Sequence, residues 1–127
     1  MAARLAMTPR PPRLFVLTDD PGSRGLFTDI LYGYDLEFFD SLETARQALA
    51  ERQYDLVIIS NLGFRPGDAV DLIPHDHAYP VLFYSGFMDA QLAAICQSKR
   101  IRWCAVPFAT RSLLAEVVRA LNTPALQ

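Results

Sequence analysis

At 127 residues and 14.2 kDa, the chain fits one domain and has too little material for two. Apolar residues make up 51% and charged residues 20%, a balance that supports a buried core and excludes disorder as the main state. A net charge of -2 and a pI near 5.6 remove the broad attraction to phosphate backbones on which non-specific nucleic-acid binders rely, so no nucleic-acid partner is expected for this domain. The longest aliphatic runs, Leu14-Phe15-Val16-Leu17 and Leu56-Val57-Ile58-Ile59, fall far short of the roughly 20 apolar residues that cross a bilayer, and no membrane association is expected. Cys96 and Cys104 have seven residues between them and no CxxC or histidine at ligand spacing. Neither a disulfide scaffold nor a zinc site is indicated, and a reduced, cytoplasmic setting is the simplest reading.

The head, residues 1–12, holds Arg4 and Arg10 among Pro9, Pro11 and Pro12, with no apolar stretch ahead of a small-residue cleavage site. It reads as disordered and not as a secretory signal. Short apolar strands are then predicted at Leu14 to Thr18, Leu36 to Phe39, Leu56 to Ser60, Val81 to Ser85 and Trp103 to Val106. Strands covered on both faces read this way, because no solvent face demands alternation. The first helix carries Leu26, Phe27, Ile30 and Leu31, entered from Asp20 as a cap with Pro21 in its first turn. The second begins at Asp40-Ser41-Leu42-Glu43, a capping-box signature, and buries Leu42, Ala45, Ala48 and Leu49. Pro74 interrupts the third crossover, where at most Asp68 to Ile73 can be helical. The fourth helix places Leu92, Ile95, Cys96 and Lys99 on one stripe, and the fifth presents Leu113, Leu114, Val117, Val118 and Leu121. Residues 13–122 form the domain, and 123–127 read as a tail.

Alternating strands and helices call for right-handed crossovers and a parallel sheet between helical layers. Function in such sheets gathers at the carboxyl ends of the strands. The loop after the first strand, Thr18-Asp19-Asp20-Pro21-Gly22, argues against a bound flavin or nucleotide. Its two carboxylates repel a phosphate, and Pro21 lacks the N–H that would cradle one. No cofactor is expected.

Four segments in order resemble the receiver domains of bacterial two-component response regulators. Leu14-Phe15-Val16-Leu17-Thr18-Asp19-Asp20-Pro21 is similar to that family's first strand and acidic turn, and Tyr54-Asp55-Leu56-Val57-Ile58-Ile59-Ser60 to its third strand. Pro80-Val81-Leu82-Phe83-Tyr84-Ser85-Gly86 is similar to the fourth strand with its hydroxyl, and Trp103-Cys104-Ala105-Val106-Pro107-Phe108 to the fifth strand. The expected fold is therefore α/β: a flavodoxin-like, receiver-like three-layer sandwich, with a five-stranded parallel sheet in the order 2-1-3-4-5 and a short or irregular third helix. The resemblance also implies a cis peptide bond before Pro107.

The family's reaction moves a phosphoryl group from a histidine kinase to an aspartate ending the third strand. Mg²⁺ and a fifth-strand lysine neutralise its charge. Here the acceptor position is Ser60 and the lysine position is Val106, while Thr18 and Asp19 stand at the metal-binding acid positions with Asp20 shifted to the cap. Only Asp19 and Ser85 keep the family's chemistry. Phosphoryl transfer depends on positioning and charge neutralisation, a hard cation needs several oxygen ligands, and a serine without a neighbouring base is a poor nucleophile. The resemblance thus implies a pseudo-receiver with a degenerate phosphorylation site at Thr18, Asp19, Asp20, Ser60, Ser85 and Val106. It has no catalytic residues and no metal beyond a weak ligand in Asp19.

His75-Asp76-His77 offers metal-ligand types at a spacing that suits no zinc pattern, and reads as a solvated loop. Phe64, Phe87, Met88 and Trp103 fall near the carboxyl end of the sheet, as an interaction surface or as packing into the emptied phosphorylation pocket. The expected function is that of a non-enzymatic, phosphorylation-independent signalling adaptor working through protein partners. Homodimerisation through helix 4, strand 5 and helix 5 is included. A small-ligand sensor using the vacated pocket is the alternative, and a weak metal-dependent phosphoacceptor a third reading.

Overall fold

In the computed structural model, which describes residues 10–60, 65–106 and 109–122, strands and helices alternate throughout. The strands are β1 (Arg13–Leu17), β2 (Asp35–Phe39), β3 (Leu56–Ser60), β4 (Val81–Ser85) and β5 (Arg102–Ala105). The helices are α1 (Pro21–Ile30), α2 (Leu42–Glu51), α3 (Pro66–Asp71), α4 (Ala90–Ser98) and α5 (Thr110–Asn122). Every pairing is parallel and the order is β2-β1-β3-β4-β5, as expected. Parallel neighbours cannot be joined by tight turns, so each step along the sheet needs a helical crossover.

The central strands are buried on both faces, which explains their unbroken apolar runs. Because successive side chains point to opposite faces, the sheet divides its residues between two cores. Phe15, Leu17, Val57, Ile59, Val81 and Phe83 meet Ala45 and Ala48 of α2, Ala69 and Val70 of α3, and Leu92 and Cys96 of α4. Leu14, Val16, Leu56, Ile58, Leu82 and Tyr84 meet Phe27 and Leu31 of α1 and Leu113 and Val117 of α5. Phe15 stacks on Phe39 at 4.6 Å and meets the edge of Tyr54 at 5.3 Å, closing the first core toward β2.

Several boundaries differ from the sequence expectation. β1, β2 and β5 each begin one residue early, at Arg13, Asp35 and Arg102. β5 stops at Ala105, before Val106, because its partner β4 ends opposite at Ser85. The cap of α2 is Ser41, whose Oγ accepts from the Thr44 N–H at 3.2 Å, and not Asp40. Thr44 Oγ1 donates to the Ser41 carbonyl at 3.3 Å, so the reciprocal bond from Glu43 to the cap N–H that the capping-box reading implied is not the one formed. α3 starts at Pro66, two residues before the expected start at Asp68, since a proline at the first helical position lacks only an N–H that would have no intrahelical partner. It is short, as expected, and ends in i→i+3 bonds from Leu72 to Ala69 and from Ile73 to Val70. His77, expected in a solvated loop, is buried. Pro12, assigned to the disordered head, accepts the Asp35 N–H at 3.0 Å and so extends the β1 edge. Among the described residues, no helix is long and apolar enough to cross a membrane.

Candidate functional site

At the carboxyl end of β1, Thr18 is buried and its N–H donates to the Phe39 carbonyl at 2.9 Å, carrying the β1–β2 pairing one residue further. Its Oγ1 accepts from the Asp20 N–H at 3.3 Å. Asp20 is the cap of α1: its Oδ2 accepts from the Ser23 N–H at 2.9 Å and from the Ser23 hydroxyl at 2.8 Å. These bonds, the hydroxyl's first, hold the Asp20 carboxyl below the usual carboxylate range. Asp19 is exposed. The acidic turn is thus split between a structural carboxylate and a solvated one.

Ser60 ends β3, buried, in register with Tyr84 of β4. Ser85, one residue on, is fully buried, and its hydroxyl is engaged in both directions. It donates to the Phe87 carbonyl at 2.7 Å and accepts from the Phe87 N–H at 3.0 Å. This local turn holds residues 85–87 in one conformation. The Trp103 indole Nε1–H donates to the Ser85 carbonyl at 2.9 Å, tying β5 to the same turn.

Val106 packs against the core beneath α1 and α5, with its Cγ2 only 3.3 Å from where a Cβ on Gly86 would stand. Glycine at position 86 therefore gives the valine the room it occupies. Lys99, the chain's one lysine, is buried with its Nζ on the Val70 carbonyl at 3.0 Å. Position 106 thus supplies packing and no charge.

A Mg²⁺ ion like that of the resembled family does not fit these residues. Asp20 is committed to its cap and Ser60 offers a neutral hydroxyl, so Asp19 is left as the one uncommitted carboxylate of the turn, where a hard cation needs several oxygens. Among the described residues, no group of three or more His, Cys, Asp or Glu converges where it could hold a metal.

Of the four aromatic and apolar residues singled out from sequence, Phe87 is 48% and Trp103 is 44% exposed, and both are bonded to Ser85. Met88 is partly buried, packed against the first core. Phe64, like Pro107 and its peptide bond, lies outside the described residues. Sequence reasoning missed the pair that braces this edge. Arg102 of β5 bonds Glu116 of α5 through two parallel contacts, at 2.7 and 2.9 Å. The bond to Arg102 holds the Glu116 carboxyl below the usual range. No spacing rule could have found it, since a strand and a helix meet there only through the fold.

Two other features bear on ligand chemistry. A cleft of about 190 Å³ between β5 and α5 exposes part of Cys104, whose thiol burial pushes up and so keeps protonated and unreactive. A cleft of about 570 Å³ ringed by Tyr34, Tyr54 and Tyr79 lies at the amino ends of the strands, across the sheet from the carboxyl-end loops.

The Trp103–Ser85 bond gives a direct prediction. Trp103→Phe keeps a ring at the surface but removes the indole donor, and should cost about 1 kcal/mol in urea unfolding. The Phe87 amide should exchange faster by hydrogen-exchange NMR, while amides of β1 and β3 stay unchanged.

No protein-family model matches this sequence, and no curated protein does. Solved structures do match. A signal receiver domain of an HD domain-containing protein from Pseudomonas fluorescens Pf-5 is 23% identical with a TM-score of 0.74, over 88% of this chain and 95% of that one. A CheY-like response regulator receiver domain protein from Methanospirillum hungatei JF-1 is 13% identical with a TM-score of 0.78, over 88% and 94%. A beryllofluoride-activated NtrC4 receiver domain dimer is 19% identical with a TM-score of 0.73, over 86% and 95%. At such identities the likeness speaks for architecture, and the sheet order, crossovers and helices described above agree with it: the chain has the fold of the receiver domains of response regulators.

Proposed function

We propose that this chain is a pseudo-receiver: a non-enzymatic signalling domain that acts by binding proteins and does not depend on phosphorylation. The observation that carries this reading is the commitment of its former phosphoryl site to internal contacts. Val106 packs over Gly86, the Ser85 hydroxyl closes a turn on Phe87, and Asp20 caps α1. Ser60 in the acceptor place offers a neutral alcohol where the resembled family has a carboxylate. What remains at that end of the sheet is an aromatic surface, Phe87 and Trp103, held in place through Ser85. Half-exposed aromatics on a rigid frame are the side chains that anchor protein interfaces.

The partner we propose is another signalling protein, met in the cytoplasm. A second copy through α4, β5 and α5 is one form of that contact, and an NtrC4 receiver domain of similar fold is itself a dimer. A ligand-sensing role in the vacated pocket draws less support, because Val106 fills part of that space and the tyrosine-ringed cleft lies at the other end of the strands.

The test is a titration with Mg²⁺ and beryllofluoride followed by amide chemical shifts. No saturable change is expected at Ser60, Ser85 or Trp103, since the analogue finds no carboxylate at the acceptor position and no cation at position 106. Stoichiometric, Mg²⁺-dependent shifts at those three residues would overturn the reading.

A further inference from the structure

β2 and β5 are the two edges of the sheet, and each lies between a pair of helices. α1 and α2 flank β2, with the Arg24 guanidinium of α1 4.9 Å over the Phe38 ring. α4 and α5 flank β5, where Arg102 meets Glu116. Formal charge is divided unevenly between these edges. Residues 21–51, from α1 to α2, carry six acidic and two basic residues, whereas residues 90–122, from α4 to α5, carry five basic and one acidic. An excess of four negative charges thus stands at one edge and an excess of four positive charges at the other.

Some of these groups are engaged within the fold. On the acidic edge Arg13 pairs with Asp35 at 3.5 Å and Arg52 pairs with Glu37. Asp29, Asp40, Glu43 and Glu51 are exposed, and among the described residues no ion pair engages them. On the basic edge Lys99 is buried and Arg100 donates to the carbonyls of His75 and His77. Arg102 and Arg119 share the single carboxylate of Glu116, at 2.7 and 3.9 Å, and Arg111 is exposed. Two guanidiniums against one carboxylate leave net positive charge on that face. Each edge also offers aromatic surface. Trp103 and Phe87 are half-exposed beside β5, and Tyr32, 87% exposed, stands in the turn from α1 to β2.

We propose that copies of this chain associate head to tail, with the α4–β5–α5 edge of one seated on the α1–β2–α2 edge of the next. The inference rests on the protein-binding role proposed above and names the partner. A two-fold pairing of α4–β5–α5 faces would set one positive edge against another, and like charges across an interface cost affinity. Opposite edges bring opposite charges together. Because the two contacting surfaces differ, the arrangement is heterologous and each copy keeps one edge open for another. Exposed ion pairs contribute little singly, so the charges set orientation and encounter rate, while Trp103, Phe87 and Tyr32 supply the buried area.

The test is sedimentation equilibrium of the unaltered chain over a concentration series. At about 10 mM salt, where charges act over about 30 Å, the weight-average mass should rise with concentration above the 14.2 kDa of one chain. At about 1 M salt, where that reach is about 3 Å, it should return toward one chain. Two variants then separate the edges. Arg111→Glu with Arg119→Gln alters only the basic edge, and Asp29→Arg with Glu51→Arg only the acidic one. The new Glu falls in the first turn of α5 and the new Arg residues in the last turns of α1 and α2, where helix ends favour them. Each variant alone should associate at least about tenfold more weakly than the unaltered chain. An equimolar mixture should restore a complex of two chains and nothing larger, since one intact basic edge then meets one intact acidic edge. Should a variant not fold, the salt series on the unaltered chain decides. A chain that stays single at low salt, or an association indifferent to salt, would overturn the proposal. So would undiminished association of the Asp29→Arg, Glu51→Arg variant, which would mark a two-fold contact through the basic edge. None of these outcomes bears on the beryllofluoride titration, which tests the pseudo-receiver reading separately.

Discussion

Ser60→Asp alone is expected to leave the protein without a phosphorylation switch. The new carboxylate would return a nucleophile and a metal ligand to the end of β3, beside Asp19 in the turn after β1. Three requirements would still be missing. Position 106 would carry no cation to draw charge from the phosphoryl oxygens, the Ser85 hydroxyl would stay engaged with Phe87, and Asp20 would stay on its cap. The substitution also places a charge in a buried site, since Ser60 is 5% exposed, and such an uncompensated charge costs about 3 kcal/mol. Urea unfolding should therefore show a marked loss of stability without Mg²⁺, recovered in part when Mg²⁺ binds the carboxylate. Incubation with acetyl phosphate and intact-mass measurement should show no stoichiometric phosphoryl adduct. Ser60→Asp combined with Val106→Lys is the variant in which an adduct should first appear. A stable adduct on Ser60→Asp alone, with shifts carried to Trp103, would mean that the charge environment is still that of an active receiver.

The second large effect lies in the core. Phe83→Ala should cost about 3–5 kcal/mol, a sizeable part of the total that holds a domain of this size together. Phe83 is fully buried on β4, in register with Ile59 of β3 on one side and Trp103 of β5 on the other. Its ring fills the layer under α3 and α4, so truncation leaves a cavity that two short helices and a central strand cannot collapse around. Urea unfolding should show the midpoint moving while the slope stays the same. Trp103, its register partner, sits at the sheet edge with nearly half its surface in water. Truncation there gives up less buried area, which is why the edge residue suits contact with a partner and the central one does not.

Local pattern was enough for the elements that local physics controls. The apolar runs at Leu56 to Ile59 and Val81 to Tyr84 could be covered only on both faces, and the structure buries them so. Asp20 before Pro21 was legible as a cap, because capping involves atoms three residues apart. The same locality misled at Ser41, where Asp40 and Glu43 matched a capping pattern one residue out of phase with the helix that formed. Pro66 holds the first helical position as Pro21 does, but Arg65 supplies no side-chain cap, and the expected helix began two residues later, at Asp68, bounded by Pro74.

Ser60 and Val106 were visible as residue types in a resembling pattern, but what they pack against was not. That Val106 packs over Gly86, that Ser85 spends its carbonyl on Trp103, and that Arg102 meets Glu116 all depend on which strands and helices lie side by side and in what register. His77 shows the same limit. Its neighbours Pro74, His75 and Asp76 read as loop, and the backbone there is one, but the Lys99 carbonyl arriving from the end of α4 turns a loop histidine into a buried one. Side-chain periodicity decides which faces turn inward, because each residue's direction follows from its own backbone. Contacts between residues tens of positions apart are decided only when sheet register and helix packing bring their atoms within bonding distance.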